Sequence, residues 1–469
     1  MKIRFVTLGC KLNFAESSAI GRELLLRGHT RASLNDVPDI CVINTCSVTD
    51  AADHKDRQAI HKLNRKYPHA IIIVTGCYAQ LQPEQIVEIE GVDYVLGQNE
   101  KYEIPALVER LESDATKAAM GRSQSELLDI GERREAREGE RREAKSERIC
   151  VGAIREVEEF HGVHSGDDRT RCFIKVQDGC DYFCTYCTIP YARGKSRNPR
   201  ISEVVERARE ALAGGAKELI LTGVNIGDFG KSTGETFIEL LRALDRLEDG
   251  VPPTGRSQSE LQVRGESLEA RGMDYRIRIS SCEPNLLTDE IIDFVAQSNH
   301  FAPHFHIPLQ SGSNEVLKIM KRRYNRELFA ERVRHIKEKM PHAFIGVDCM
   351  VGVRGETNEY WEDYLTFIKG LDVSQLHVFT YSERANTRML ELPLYVVPKA
   401  ERQRRSKIMH EVSEEKTKAF YAQQAGREAV VLWESKKEGD MMAGFTENYV
   451  KVYRPYDKKK VNTLETVRI

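Results

Sequence analysis

The chain reads as an α/β protein in three parts. These are an N-terminal α/β domain on a parallel sheet, a partial (β/α)6 barrel, and a small C-terminal antiparallel β-barrel. Three observations predict this. Short β-branched apolar runs alternate with helical stretches over residues 1 to about 110. The same alternation resumes for six units between Phe173 and about Thr387. The tail then turns to short strands separated by turn residues. Strand–helix alternation favours a parallel sheet with right-handed crossovers, and closely spaced short strands favour a small barrel.

In the first part, the run from Ile3 to Gly9 leads into Cys10, Ile40 to Thr45 into Cys46, and Ala70 to Gly76 into Cys77. Each run is a candidate buried strand. Helical stretches follow, such as Glu16 to Arg27 and Ala51 to Lys66. The C-terminal ends of parallel strands share one edge, where ligands bind. Cys10, Cys46 and Cys77 are therefore expected to converge despite separations of 36 and 31 residues. Gly9 and Gly76 allow tight turns beside two of them. Three thiolates can hold three irons of a 4Fe–4S cluster and leave the fourth iron open. The plain alternative is three unrelated buried cysteines. Cys41, Cys150, Cys172, Cys282 and Cys349 are read as non-ligands.

Between Glu112 and Arg148 the chain becomes dense in mixed charge and cannot build a core. The heptapeptide Gly121 to Leu127 recurs identically at Gly255 to Leu261, which reads as an inserted surface segment rather than a solenoid repeat. The expected boundaries are 1–111 for the N-terminal domain and 112–165 for the charged linker. The barrel domain follows at 166–397 with an insert at about 252–273, then the tail domain at 398–465.

Barrel strands are expected at Phe173 to Val176, Glu218 to Thr222, Tyr275 to Ser280, His304 to Pro308, Phe344 to Val351 and Leu376 to Phe379. Helices are expected between them, including Ile201 to Ala213 and Glu235 to Leu247. Functional residues of such barrels gather at the C-terminal strand ends. The loop after the first strand carries Cys180-Asp181-Tyr182-Phe183-Cys184-Thr185-Tyr186-Cys187. This is a second three-thiol set with no fourth cysteine nearby, so one iron of a cubane would again stay open, as a catalytic metal site requires. A zinc site would want a second C-x-x-C or close histidines, and His161 and His164 lie well upstream. A disulfide framework does not suit a long chain without a signal peptide.

The tail opens with a charged helix from Glu401 to Ala425, then strands at Ala429 to Trp433, Met442 to Phe445 and Tyr449 to Tyr453. Lys451, Arg454, Lys458, Lys459 and Lys460 gather with Tyr449, Tyr453 and Tyr456. Cations can meet phosphates while aromatic faces stack on bases, although an ordinary solvated tail would look similar. A net charge of −2 means that any nucleic-acid binding must rest on such a local patch. No apolar run approaches the roughly 18 residues that span a bilayer. With 11 cysteines and no targeting segment, a cytoplasmic protein without membrane contact is expected.

Together these segments resemble the methylthiotransferase family of radical S-adenosylmethionine (SAM) enzymes, over nearly the whole length apart from the inserts. The similarity lies in Gly9-Cys10-Lys11-Leu12-Asn13, Asn44-Thr45-Cys46-Ser47-Val48-Thr49, Gly76-Cys77-Tyr78-Ala79-Gln80 and Cys180 to Cys187. It extends to His306 to Ser313, Gly355-Glu356-Thr357 and a tail similar to the RNA-binding TRAM domain. Val353-Arg354-Gly355 and Ala385-Asn386-Thr387 depart from the family pattern, but only in loops.

The resemblance implies transfer of a methylthio group to an unactivated C–H, with two 4Fe–4S clusters and S-adenosyl-L-methionine as cofactors. Cys180, Cys184 and Cys187 would hold the cluster that binds SAM. Cys10, Cys46 and Cys77 would hold the cluster that gives up sulfur, and both should face one cavity. Gly223 and Asn225 after the second barrel strand, with Ser280 and Gln310 at the ends of the next two, are the candidate SAM contacts. The Gly9 to Asn13 and Gly444 to Tyr449 segments look most like the branch acting on N(6)-threonylcarbamoyladenosine at position 37, beside the anticodon of tRNA. Other branches act on isopentenyladenosine in tRNA or on an aspartate of a ribosomal protein. A non-enzymatic iron–sulfur electron carrier is the reading from a different class. Expected partners are tRNA and a low-potential electron donor of the flavodoxin or ferredoxin kind, with the enzyme a monomer.

Overall fold

Runs such as Ile40–Thr45 are apolar on both faces because helices cover both sides of the sheet they form. The computed structural model describes residues 1–33, 35–120, 148–166, 170–247 and 275–469. The repeated heptapeptides and half of the charged linker lie outside these residues. Strands β1 (Lys2–Thr7), β2 (Thr30–Arg31), β3 (Ile40–Thr45), β4 (Ile71–Gly76), β5 (Val92–Leu96) and β6 (Ile149–Cys150) form one sheet in the order β2-β1-β3-β4-β5-β6. All its pairings are parallel. Around it lie α1 (Lys11–Leu26), α2 (Asp50–Lys66), α3 (Cys77–Leu81), α4 (Pro83–Val87) and α5 (Ile104–Met120). Residues Cys41, Ile43, Ile72 and Val74 pack into one core, while Ile40, Val42 and Ile73 pack into another. This is the period-2 alternation of a strand buried on both faces.

The described residues divide into two compact units. One holds 1–158 with 188–195, and the other holds 159–187 with 196–469. The short helix α6 (Ile189–Arg193) belongs to the first unit and packs on α3.

In the second unit, β7 (Arg171–Lys175), β8 (Glu218–Thr222) and β9 (Arg276–Ile279) form one parallel sheet. Strands β10 (His304–Gln310), β11 (Phe344–Val351) and β12 (Gln375–Thr380) form another. Parallel bridges Ile277–Phe301 and Ser281–His306 carry the wall from one sheet to the next, giving the six-stranded partial barrel. Its helices include α7 (Ile201–Ala213), α8 (Phe237–Asp245), α9 (Asp289–Gln297), α10 (Asn314–Ile319), α11 (Arg326–Lys339) and α12 (Asn358–Gly370). Ile174, Leu219, Leu221, Ile277, Ile307 and Val347 point outward into the helix layer. Alternation therefore turns Glu218, Arg276, Arg278, His306 and Asp348 toward the barrel interior.

Helix α13 (Lys399–Gln424) leads to an antiparallel sheet of β13 (Glu428–Glu438), β14 (Met441–Phe445), β15 (Lys451–Pro455) and β16 (Leu464–Arg468), ordered β15-β14-β13-β16. It is fastened to the barrel by arginines. Arg276 Nη1 and Nη2 donate to the carbonyls of Val430 and Phe445, each at 3.0 Å, and Arg278 Nη1 donates to that of Glu447 at 3.0 Å. Tyr449, expected with the exposed basic tail residues, is taken up by this joint. It stacks on Phe445 with centroids 4.9 Å apart, and the Arg278 guanidinium lies 5.0 Å from its centroid. Tyr453 stays half exposed beneath Lys451, and Lys437 covers Tyr456. Among the described residues no helix is long and apolar enough to cross a membrane.

Candidate active site

Three parallel strands deliver the first triad. Thr7 pairs with Asn44 and Thr45 with Gly76, so the strands end in register. Cys10 stands at the N-cap of α1, Cys46 in the turn after β3, and Cys77 opens α3. Gly9 sits at φ +92, where a Cβ would lie 2.9 Å from Cys46 Sγ. Gly76 sits at φ +101, where a Cβ would lie 2.4 Å from the Thr45 oxygen. Both positions need glycine for conformation and for space. Asn13 Nδ2 ties the turns together by donating to Leu8 O at 2.8 Å and Thr45 O at 2.9 Å. The Cys46 N–H donates to Asp56 Oδ2 at 3.0 Å.

Burial, and then the neighbouring Cys77 and Cys10, pushes the Cys46 thiol well above its usual range. Burial likewise raises Cys77, against the pull of Arg193 and Lys101. Asp56 is pushed up to about 8, chiefly by burial. Thiols so placed keep their protons unless a metal takes their place.

The second triad lies in the loop after β7. Gln177 braces that loop. Its Nε2 donates to Asp178 O at 2.9 Å and Gly179 O at 2.7 Å, and its Oε1 accepts from the N–H groups of Val224 at 2.9 Å and Asn225 at 2.8 Å. A Cβ on Gly223 would lie 3.0 Å from that same Oε1, so this glycine makes room for Gln177. The Cys187 N–H donates to Cys184 O at 3.0 Å. Burial, with Cys184 adding to it, pushes Cys180 up to about 12.

Beside Cys184 lies Arg322, which sequence reading missed. Its Nη1 donates to Cys184 Sγ at 3.2 Å and to the Tyr186 hydroxyl at 3.3 Å, while its Nη2 pairs with Glu283. Its Nε donates to the Tyr324 hydroxyl at 3.1 Å. Also missed as a pair were His306 and Asp348 on the inner face of β10 and β11, with Nε2 2.7 Å from Oδ1. Burial raises the Asp348 pKa, but His306, with His377 and Arg322, outweighs it and holds the carboxyl below its usual range. Inward alternation on adjacent strands was the signal for that pair. The partners of Arg322 come from distant segments and leave no local signal.

The residues fit the groups they were expected to hold. Both amide atoms of Asn225, which is 3% exposed, lack hydrogen-bond partners, as does Oε1 of Gln310. The Tyr182 hydroxyl beside it accepts from Asn285 Nδ2 at 3.0 Å, and Asn225 touches that hydroxyl only loosely. Orphaned buried amides call for a polar ligand such as the amino-acid and ribose ends of SAM. Ser280 differs, since its Oγ donates to Leu221 O. Among the described residues no three Cys, His, Asp or Glu side chains converge on one ion. A cubane accommodates that spacing, because each thiolate takes a separate iron. Asn225→Ala is expected to weaken SAM binding roughly tenfold, the worth of about one good hydrogen bond. Anaerobic calorimetry checks this, and an unchanged Kd removes Asn225 from the site.

Residues 174–368 match the Radical SAM superfamily, and residues 2–97 match the uncharacterized protein family UPF0004. The threonylcarbamoyladenosine tRNA methylthiotransferase MtaB of Bacillus subtilis strain 168 is 33% identical over 100% of this chain and 93% of its own length. The chain belongs to the methylthiotransferase family of radical SAM enzymes. A second member, MtaB of Aquifex aeolicus, is 33% identical over 97% of each chain. The tRNA-2-methylthio-N(6)-dimethylallyladenosine synthase of B. subtilis is 28% identical over 99% of this chain and 82% of its own. Among solved structures, the radical SAM methyltransferase TsrM of Kitasatospora setae aligns with a TM-score of 0.52 at 15% identity, covering 83% of this chain and 76% of that one. That likeness is one of fold. In this methylthiotransferase, one cysteine triad follows strands β1, β3 and β4, and the other lies in the loop after β7.

Proposed function

We propose that this methylthiotransferase places a methylthio group on C2 of N(6)-threonylcarbamoyladenosine at position 37 of tRNA. The observation that carries this is full-length similarity at 33% to two enzymes named for that nucleoside, against 28% for the dimethylallyladenosine synthase.

When bound, SAM and the two 4Fe–4S clusters supply a carbon-centred radical, a sulfur atom and a methyl group. The chain's own residues do the rest. Cys180, Cys184 and Cys187 hold the barrel cluster, and Arg322, paired with Glu283, fixes the Cys184 sulfur. Gln177 locks the two strand-end turns that present the cysteines and Asn225. Gly223, Asn225, Ser280 and Gln310 line the SAM site, with the Asn225 amide and the Gln310 carbonyl oxygen as its polar contacts. Cys10, Cys46 and Cys77 hold the sulfur-donating cluster. Radical and sulfur must meet near contact distance for the transfer to occur. The tail's Lys451, Tyr453, Lys458 and Lys459 form the RNA-facing surface. An external low-potential protein supplies the electron, and the enzyme acts as a cytoplasmic monomer.

Mass spectrometry of tRNA nucleosides from cells lacking the gene tests the substrate. Loss of the methylthio form of threonylcarbamoyladenosine is expected. Loss of the methylthio form of isopentenyladenosine instead, or of a ribosomal-protein modification, would reassign the substrate while keeping the chemistry.

A further inference from the structure

Behind the N-terminal triad lies a set of buried charges that metal ligation alone does not require. Glu16 is 0% exposed, and Lys101 and Arg193 are each 1% exposed. Arg193 Nη1 donates to Glu16 Oε1 at 3.1 Å, and its Nη2 donates to Asn13 Oδ1 at 2.7 Å. Lys101 Nζ donates to Glu16 and to Gln98 Oε1. Gln98 Nε2 in turn donates to Cys77 Sγ at 3.1 Å. Cys10 Sγ lies 3.7 Å from the same Asn13 Oδ1, so Cys77 and Cys10 each touch an amide that rests on these buried charges.

We infer that Arg193, Lys101 and Glu16 set the reduction potential of the N-terminal cluster, with Arg193 as a positioning residue. This rests on reading Cys10, Cys46 and Cys77 as a cluster site. Buried charges this close to a cluster act on it through a low dielectric and are little screened by solvent or salt. A 4Fe–4S core in its usual oxidised state with three thiolates carries one net negative charge. A cation in such a low-dielectric site favours the reduced, more negative cluster and raises its potential, while a carboxylate lowers it. Arg193 stands six residues beyond Cys187 in sequence, so one continuous stretch serves both cysteine triads.

The test uses the full chain with Cys180, Cys184 and Cys187 changed to alanine, so that a single cluster remains. After anaerobic reconstitution the iron is counted and the midpoint potential is titrated by EPR. About four irons per chain are expected. Arg193→Gln should lower the potential, Glu16→Gln should raise it, and Arg193→Lys should stay near the parent. A merely structural network would not move the two neutralised variants in opposite directions. Shifts of the same sign, or none, overturn the inference while leaving the cluster site intact. A parent holding no iron overturns the cluster site itself, and the inference with it. Should Arg193→Gln fail to fold, Glu16→Gln decides alone, and a lowered or unchanged potential rules against the charge set.

Discussion

Cys46→Ala is expected to abolish methylthiolation while SAM cleavage remains measurable. Cys46 is buried beside Gly9 in the first unit. Loss of its sulfur removes a small buried group, at a cost of about 1 kcal/mol, so the fold should survive. The N-terminal cluster should not survive, because two thiolates and an open edge hold iron poorly. Iron should fall from about eight to about four per chain after anaerobic reconstitution. The barrel triad keeps its three cysteines, its Arg322 brace and its Asn225 contact, so 5′-deoxyadenosine should still form on reduction. Cys184→Ala should instead abolish both activities, because its sulfur is the one Arg322 fixes at 3.2 Å. Chromatography of 5′-deoxyadenosine beside mass spectrometry of the tRNA product separates the two outcomes. A Cys46→Ala enzyme that methylthiolates at the wild-type rate would end the assignment of the N-terminal triad as the sulfur source.

Much of this site was legible because its residues sit where the backbone pattern changes. Cys46 and Cys77 follow runs of branched apolar residues directly, and the aligned register of β3 and β4 places them side by side. Strand β8 and helix α7 fall where the sequence put them, since Gly214 and Gly215 end the helix and a solid apolar run follows. Strand β13 runs on to Glu438, beyond the expected Trp433. Its polar half, Glu434 to Glu438, carries no apolar signal and is held by pairing with Met441 and Met442. Strand β16 was missed for the same reason. Tyr449 misled because its position is fixed by Arg278, Phe445 and His304, residues that meet it only in the folded chain. Gly223, expected beside the cofactor, also leaves room for Gln177, a neighbour far back in the sequence that no local pattern announced. Local pattern thus marked where thiols converge, whereas the polar braces around them depended on pairings between distant strands.

Glu218→Gln should cost about 3–5 kcal/mol of stability, the scale on which breaking one side of a buried ion pair acts. Glu218 is fully buried on the inner face of β8, paired with Arg276 and bonded by Arg278 Nη2 at 3.1 Å. Burial alone would raise its pKa, but Arg276 and then Arg278 outweigh that and hold the carboxyl far below its usual range. The neutral amide keeps the shape and leaves two buried guanidinium charges uncompensated. Those guanidiniums also carry the hydrogen bonds to Val430, Phe445 and Glu447, so the joint to the tail should loosen first. The sign of the pH dependence follows from the depressed pKa. The carboxylate's contribution is fully present above the unfolded value of about 4.3 and is lost as pH falls through the folded one. Wild type should therefore lose stability steeply below about pH 4, and Glu218→Gln should show a flatter acid limb from a lower starting point. Thermal melts across pH, with limited proteolysis to report release of the tail, measure both effects. Equal melting curves for the two proteins would mean that the arginines are solvated in solution, and that packing around Tyr449 rather than charge fastens the tail to the barrel.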